Sequence, residues 1–335
     1  MKRKQKYCFL LFLFLLFFSI IPPELLSQVR SKHGMVVSAN RLASDVGIEI
    51  MKKGGNAIDA AVAVGFALAV VFPEAGNIGG GGYIVIRKAD GTHTAIDFRE
   101  KAPRSAVRDI FLDSTGQVTD RIIRGCMSAG VPGTVAGLIE ALEVYGTMEL
   151  KDVIDPAIIL AQHGFVIDEH LWNNLVEYEK DLRLFPSTVK LFFKNDSLFR
   201  KGDTLKQSDL AATLSRIQSN GIDGFYKGET ARLITDEMRR GGGLITEDDL
   251  AEYKPIIRKP LTGTYRGYEI ITMPPSSSGG LCLIEIMNII EKYNLDSLGH
   301  HSSQSVHIIS EAMKRAYADR AEYMGDPDYV AIPVD

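Results

Sequence analysis

Ala60 to Phe72 is apolar on every face and is stopped by Pro73. A helix with no polar side must be enclosed by other elements or by lipid, and about 20 apolar residues are needed to cross a bilayer. This run is too short for that, so it predicts a core helix wrapped by the rest of the chain. Its small residues, among them Ala60, Ala63, Gly65, Ala67 and Ala69, let neighbouring elements come close. Just upstream, Leu42, Val46 and Ile50 recur at helical spacing, Lys52 and Lys53 fall in the last turn, and Gly54-Gly55 ends the segment. Cations at the negative end of a helix and glycine just beyond it are stop signals. Asn56 is then placed to cap the core helix.

After the core helix comes Asn77-Ile78-Gly79-Gly80-Gly81-Gly82, followed by the strand pattern Tyr83-Ile84-Val85-Ile86. A phosphate-binding glycine run must open a helix, whose first amides hold the anion. This run opens a strand, which argues against a nucleotide. Asp90-Gly91 predicts a hairpin turn, and Ala95-Ile96-Asp97-Phe98 the returning strand. The remainder reads as mostly helical. Val131-Pro132-Gly133 is a turn before a helix through Leu142, and Thr246 to Asp249 is a capping box after the break at Gly241–Gly243. Pro274 to Gly280 is a connector before a helix from Leu281 to Ile290, and Val306, Ile309, Met313 and Tyr317 form a helical stripe ending at Gly325-Asp326-Pro327. No repeat and no linker divides the 335 residues. The organisation expected is one large α/β domain.

The N-terminus stands apart. Lys2, Arg3, Lys4 and Lys6 precede an apolar run from Tyr7 to Ile21, then Pro22-Pro23 and the small residue Ser27. A basic start, a short apolar stretch and a small-residue exit predict a signal peptide over residues 1–27 rather than a stable membrane span. The protein is therefore expected to be exported, to the periplasm or the extracellular space. The net charge of −4 becomes more acidic once those cations are removed. Such a balance argues against nucleic acid as a partner. Beyond the leader only Cys126 and Cys282 remain, which allow one disulfide without requiring it. The histidines form no HExxH pattern, so no metal site is expected. Ser276-Ser277-Ser278-Gly279-Gly280 lacks the upstream glycine of a nucleophile elbow and reads as turn and cap residues.

One charge stands out by position. Arg99 follows the second strand of the hairpin, beside a loop without side chains, where a guanidinium can grip a ligand carboxylate through two parallel hydrogen bonds. An ion pair with Asp97 or Glu100 is the competing reading.

Taken in order, Gly54-Gly55-Asn56-Ala57-Ile58-Asp59-Ala60-Ala61, Ala75 to Gly82, Asp97-Phe98-Arg99-Glu100, Gly130 to Gly137, Met273 to Gly280 and Tyr317-Ala318-Asp319-Arg320 closely resemble the large-subunit portion of the γ-glutamyltransferase (γ-glutamyltranspeptidase, glutathione hydrolase) family. The resemblance covers residues 35–335. It implies an N-terminal-nucleophile hydrolase fold, an αββα sandwich of which this is the incomplete large-subunit part. It also implies a precursor that cuts itself in two, no cofactor, and a nucleophilic threonine at the new N-terminus of the small subunit, with its own α-amine as base. Glutathione or another γ-glutamyl compound is the implied substrate, and Arg99 the residue that binds its α-carboxylate. That threonine is not among these 335 residues, because Thr134 and Thr264 lie inside continuous chain. This chain alone is therefore expected to be inactive and to expose surfaces that the small subunit covers. A related acylase or a capsule transpeptidase on the same scaffold is the enzymatic alternative, and a non-catalytic exported binding half-domain the alternative of another class.

Overall fold

A computed structural model describes residues 30–334. The expected signal peptide, 1–27, lies outside the described residues. Helix α1, Arg41–Lys52, and helix α2, Ala57–Val71, form an antiparallel pair across the Gly54-Gly55 turn, where Gly54 takes φ +97°. Asn40 caps α1 by accepting from the Leu42 amide. The face of α1 that is buried is Ala43, Gly47 and Ile50 rather than the expected Leu42, Val46 and Ile50. The helix is turned by one residue because small side chains permit a closer approach to α2, and Leu42 is left exposed.

Asn56 accepts from the Ile58 and Asp59 amides, and the Asp59 carboxylate returns the bond to the Asn56 amide at 2.7 Å. Asp59 is fully buried and also accepts from both Thr147 donors and the Met148 amide, so the cap ties α2 to the chain that enters the helix starting at Leu150. Burial alone would raise its pKa, but these hydrogen bonds outweigh that and hold it below the usual carboxylate value. Most of α2 is buried, as a core helix requires. Its last carbonyls would be orphaned there; Gln207 donates to Val70 and Asn40 to Val71.

The sheet that carries the site is antiparallel and three-stranded, in the order β1 (Tyr83–Arg87), β2 (His93–Asp97) and β3 (Ile256–Arg258). Tyr83 pairs with Asp97 and Ala95 with Arg258. Helix α3, Thr134–Tyr145, follows the expected turn, and α4, Leu150–His163, packs on α2 and on α5, Ser208–Asn220. Helix α6, Gly228–Gly241, ends at Gly242 in the left-handed region.

The C-terminal part departs from the mostly helical expectation. A hairpin of β4, Leu261–Tyr265, and β5, Tyr268–Thr272, turns at Arg266-Gly267, both with positive φ. Helix α7 starts at Ser278, three residues earlier than expected, because Ser277 caps it and Gly280 packs against the Thr272–Met273 segment. The last helix, α8, Ser303–Tyr323, packs on α7 through Ala312 and Ala316. The expected stripe is present but faces outward: Val306 is 50 % exposed and Tyr317 56 %. Cys126 and Cys282 are both free, the second buried under α8 with its thiol toward the Ala316 carbonyl. No helix among the described residues is long and apolar enough to cross a membrane.

Candidate active site

The glycine run that precedes β1 lies flat on the segment after β2. Gly82 and Phe98 exchange backbone hydrogen bonds at 3.3 and 3.0 Å, and the Gly80 carbonyl accepts from the Gly133 and Thr134 amides. A Cβ on Gly81 would come within 2.8 Å of the Glu100 nitrogen. A Cβ on Gly137 would enter the Phe98 ring, so glycine in α3 is what lets Phe98 anchor there. Two residues of the expected motif, Asp97 and Phe98, are thus buried, and Arg99 emerges at the surface with its side chain 57 % exposed.

Arg99 lines a cleft of about 190 Å³ with Tyr83, Lys101, Arg258, Ser276 and Asp328. Its Nε donates to Glu100 at 3.1 Å and its guanidinium lies 5.7 Å from the centre of the Tyr83 ring. Burial opposes its charge, yet Tyr83 and Glu100 outweigh burial and raise its pKa, so it remains a cation. Of the two ion pairs that competed for Arg99 in the sequence, only the one with Glu100 forms.

Asp97 does something else. Its carboxylate accepts from the Arg99 amide at 3.1 Å, from Arg258 Nε at 2.8 Å and from Ser276 Oγ at 3.1 Å. Ser276 also bonds the Tyr83 hydroxyl at 2.9 Å, and Arg258 reaches Asp328 at 3.4 Å. The serine loop therefore divides its labour. Ser277 caps α7 as expected, Ser278 accepts from Arg320, and Ser276 belongs to the cleft, which the sequence reading missed. A serine following two prolines was the signal, since a rigid loop fixes one side chain in place.

The sequence pattern of the family described as gamma-glutamyltranspeptidase matches residues 43–335. The chain belongs to that family. The Escherichia coli (strain K12) glutathione hydrolase proenzyme is 47 % identical to it over 315 residues, which are 93 % of this chain and 54 % of the relative. The Helicobacter pylori gamma-glutamyltranspeptidase structure superposes with a TM-score of 0.90 at 49 % identity, covering 92 % of this chain and 89 % of that one. Acylase ACY 1 proenzyme of Pseudomonas sp. (strain SE83) is 42 % identical over 90 % of this chain and 55 % of its own length. The chain spans about half the length of the curated relatives it matches. Its fold is that of the family's N-terminal-nucleophile hydrolases, a mixed helix and strand architecture.

The other candidates sort by position. Thr134 is buried at the start of α3 with its hydroxyl on Asn77, and Thr264 lies within β4; neither carries a free amine. His300 and His301 lie in a turn, with His301 at φ 55°, and their rings stack at 3.8 Å. Among the described residues, no three of His, Cys, Asp and Glu are grouped to hold a metal.

Proposed function

We propose that this chain supplies the substrate-carboxylate side of an enzyme that transfers the γ-glutamyl group of glutathione and related amides to water or an amino acid. The observation that carries the reading is Arg99: a cation with a fixed backbone, half exposed in a cleft, in an Asp-Phe-Arg-Glu stretch that resembles the family's. There it binds the α-carboxylate of the γ-glutamyl donor by two parallel hydrogen bonds. The nucleophile is a threonine at the N-terminus of a small subunit cut from the same precursor. Its hydroxyl oxygen attacks the γ-carbonyl carbon while its α-amine takes the proton. The α-amine passes that proton to the nitrogen of the γ-amide, the C–N bond breaks and the donor's amine leaves, and water or an acceptor amine then attacks the glutamyl ester and frees the threonine. Export through the leader at 1–27 accords with such a role, and the proenzyme names of the relatives accord with self-cleavage.

The 42 % identity to an acylase favours a second reading, in which the acyl group transferred has no α-amine. The test is hydrolysis of γ-glutamyl and glutaryl amides of one amine by the protein expressed from its full reading frame. Preference for the γ-glutamyl donor supports the first reading. Preference for the glutaryl donor, which lacks only the α-amine and keeps the carboxylate, assigns the chain to acylase chemistry and leaves the carboxylate role of Arg99 to be tested by its own variant.

A further inference from the structure

The side chain of Arg99 leaves a backbone that is gripped at both ends of one residue. Its amide donates to the buried Asp97 carboxylate at 3.1 Å, and its carbonyl accepts from the Tyr253 hydroxyl at 2.8 Å. Tyr253 is 5 % exposed and follows the short helix Glu247–Ala251, far from Arg99 in sequence. Its ring stacks on Tyr226, 5.7 Å between centres and 9° from parallel. Tyr226 is fixed in turn, donating to the Pro132 carbonyl at 2.8 Å and accepting from the Ala136 amide at 3.3 Å at the start of α3. Lys101 also lies over the Tyr253 ring, its ammonium 5.4 Å from the ring centre and 3.3 Å from the Lys254 carbonyl. Gly133 completes the fit, because a Cβ there would collide with the Tyr253 hydroxyl and the Phe98 carbonyl together.

We infer that Tyr253 is a positioning residue for substrate binding: it fixes the peptide of Arg99 so that the guanidinium presents one orientation to the donor's carboxylate. The inference rests on the reading of Arg99 as the carboxylate clamp. A hydroxyl that spans from a stacked tyrosine pair to a single carbonyl has no packing role that phenylalanine could not fill. It does hold a long side chain's root still, and a bidentate ion pair is sensitive to small displacements. Burial pushes the Tyr253 hydroxyl well above its ordinary pKa, with Tyr226, Asp97 and Glu100 adding to the push, so it stays a donor.

The experiment compares two γ-glutamyl donors, one with a free α-carboxylate and one with an α-carboxamide, on protein from the full reading frame. The readout is the ratio of their kcat/KM values, which does not depend on how much of a variant preparation is folded. Arg99→Gln is expected to abolish most of the preference for the carboxylate donor. Tyr253→Phe, which keeps the ring stack, is expected to lower that preference about fivefold, through KM and not kcat, as loss of one hydrogen bond implies. If Arg99→Gln removes the preference and Tyr253→Phe leaves it intact, the positioning role is wrong while the clamp stands. If Arg99→Gln itself keeps the preference, the clamp is wrong and the inference fails with it. A Tyr253→Phe protein inactive on both donors also overturns it, since that assigns the hydroxyl to the fold.

Discussion

The carboxylate of Asp97 sits among Arg258, Ser276 and the Arg99 amide, and its side chain is 7 % exposed against 15 % for Arg258. Removing one member of a buried pair strands the other's charge away from water. Arg258→Met is therefore expected to lower unfolding free energy by about 3 kcal/mol, read as a shift of the urea midpoint at constant m. A loss under about 1 kcal/mol would mean the pair is solvated and weak. At this scale Arg99 was legible because it follows a strand beside glycines that only a close approach explains. Its neighbours were not. Arg258 lies 161 positions from Asp97, and nothing local marks either as the other's partner. Ser276 reaches the cleft and Tyr253 the Arg99 carbonyl the same way, through contacts that only the folded chain brings together.

Elements tell the same story with different physics. α1 and α2 were legible because periodicity, caps and stop signals agree within one short stretch. The β4–β5 hairpin was passed over because its turn, Arg266-Gly267, puts a bulky residue at positive φ where asparagine is the usual signal. Asp59 joins α2 to the segment that enters α4, and its effect is testable. Its pKa is held below that of an unfolded carboxylate, so its contribution is complete above about pH 4 and is lost as pH falls through the depressed value. Asp59→Asn should cost about 2–3 kcal/mol at neutral pH and flatten the acid side of the stability profile. An unchanged acid limb would contradict this. Gly137→Ala should be worse tolerated than alanine at any exposed site of α3, since its methyl enters the Phe98 ring and shifts the Arg99 motif. Thermal melts of the two variants decide it.

Among the described residues, the last helix leaves an apolar face open. Val306, Ile309, Met313 and Tyr317 of α8 form the helical stripe read in the sequence, and each is at least 37 % exposed. Patches of this kind associate unless covered. Ile309→Lys with Met313→Lys is expected to raise the soluble fraction of this chain expressed by itself, measured in the supernatant after lysis; an unchanged fraction would place the cause of association elsewhere. The central claim, that the cleft beside β2 takes the α-carboxylate of a γ-glutamyl donor, is tested most directly by the KM for glutathione of protein from the full reading frame. Arg99→Gln should raise it about 10- to 100-fold with kcat little changed, the loss of a charge-assisted pair. An unchanged KM would contradict the claim.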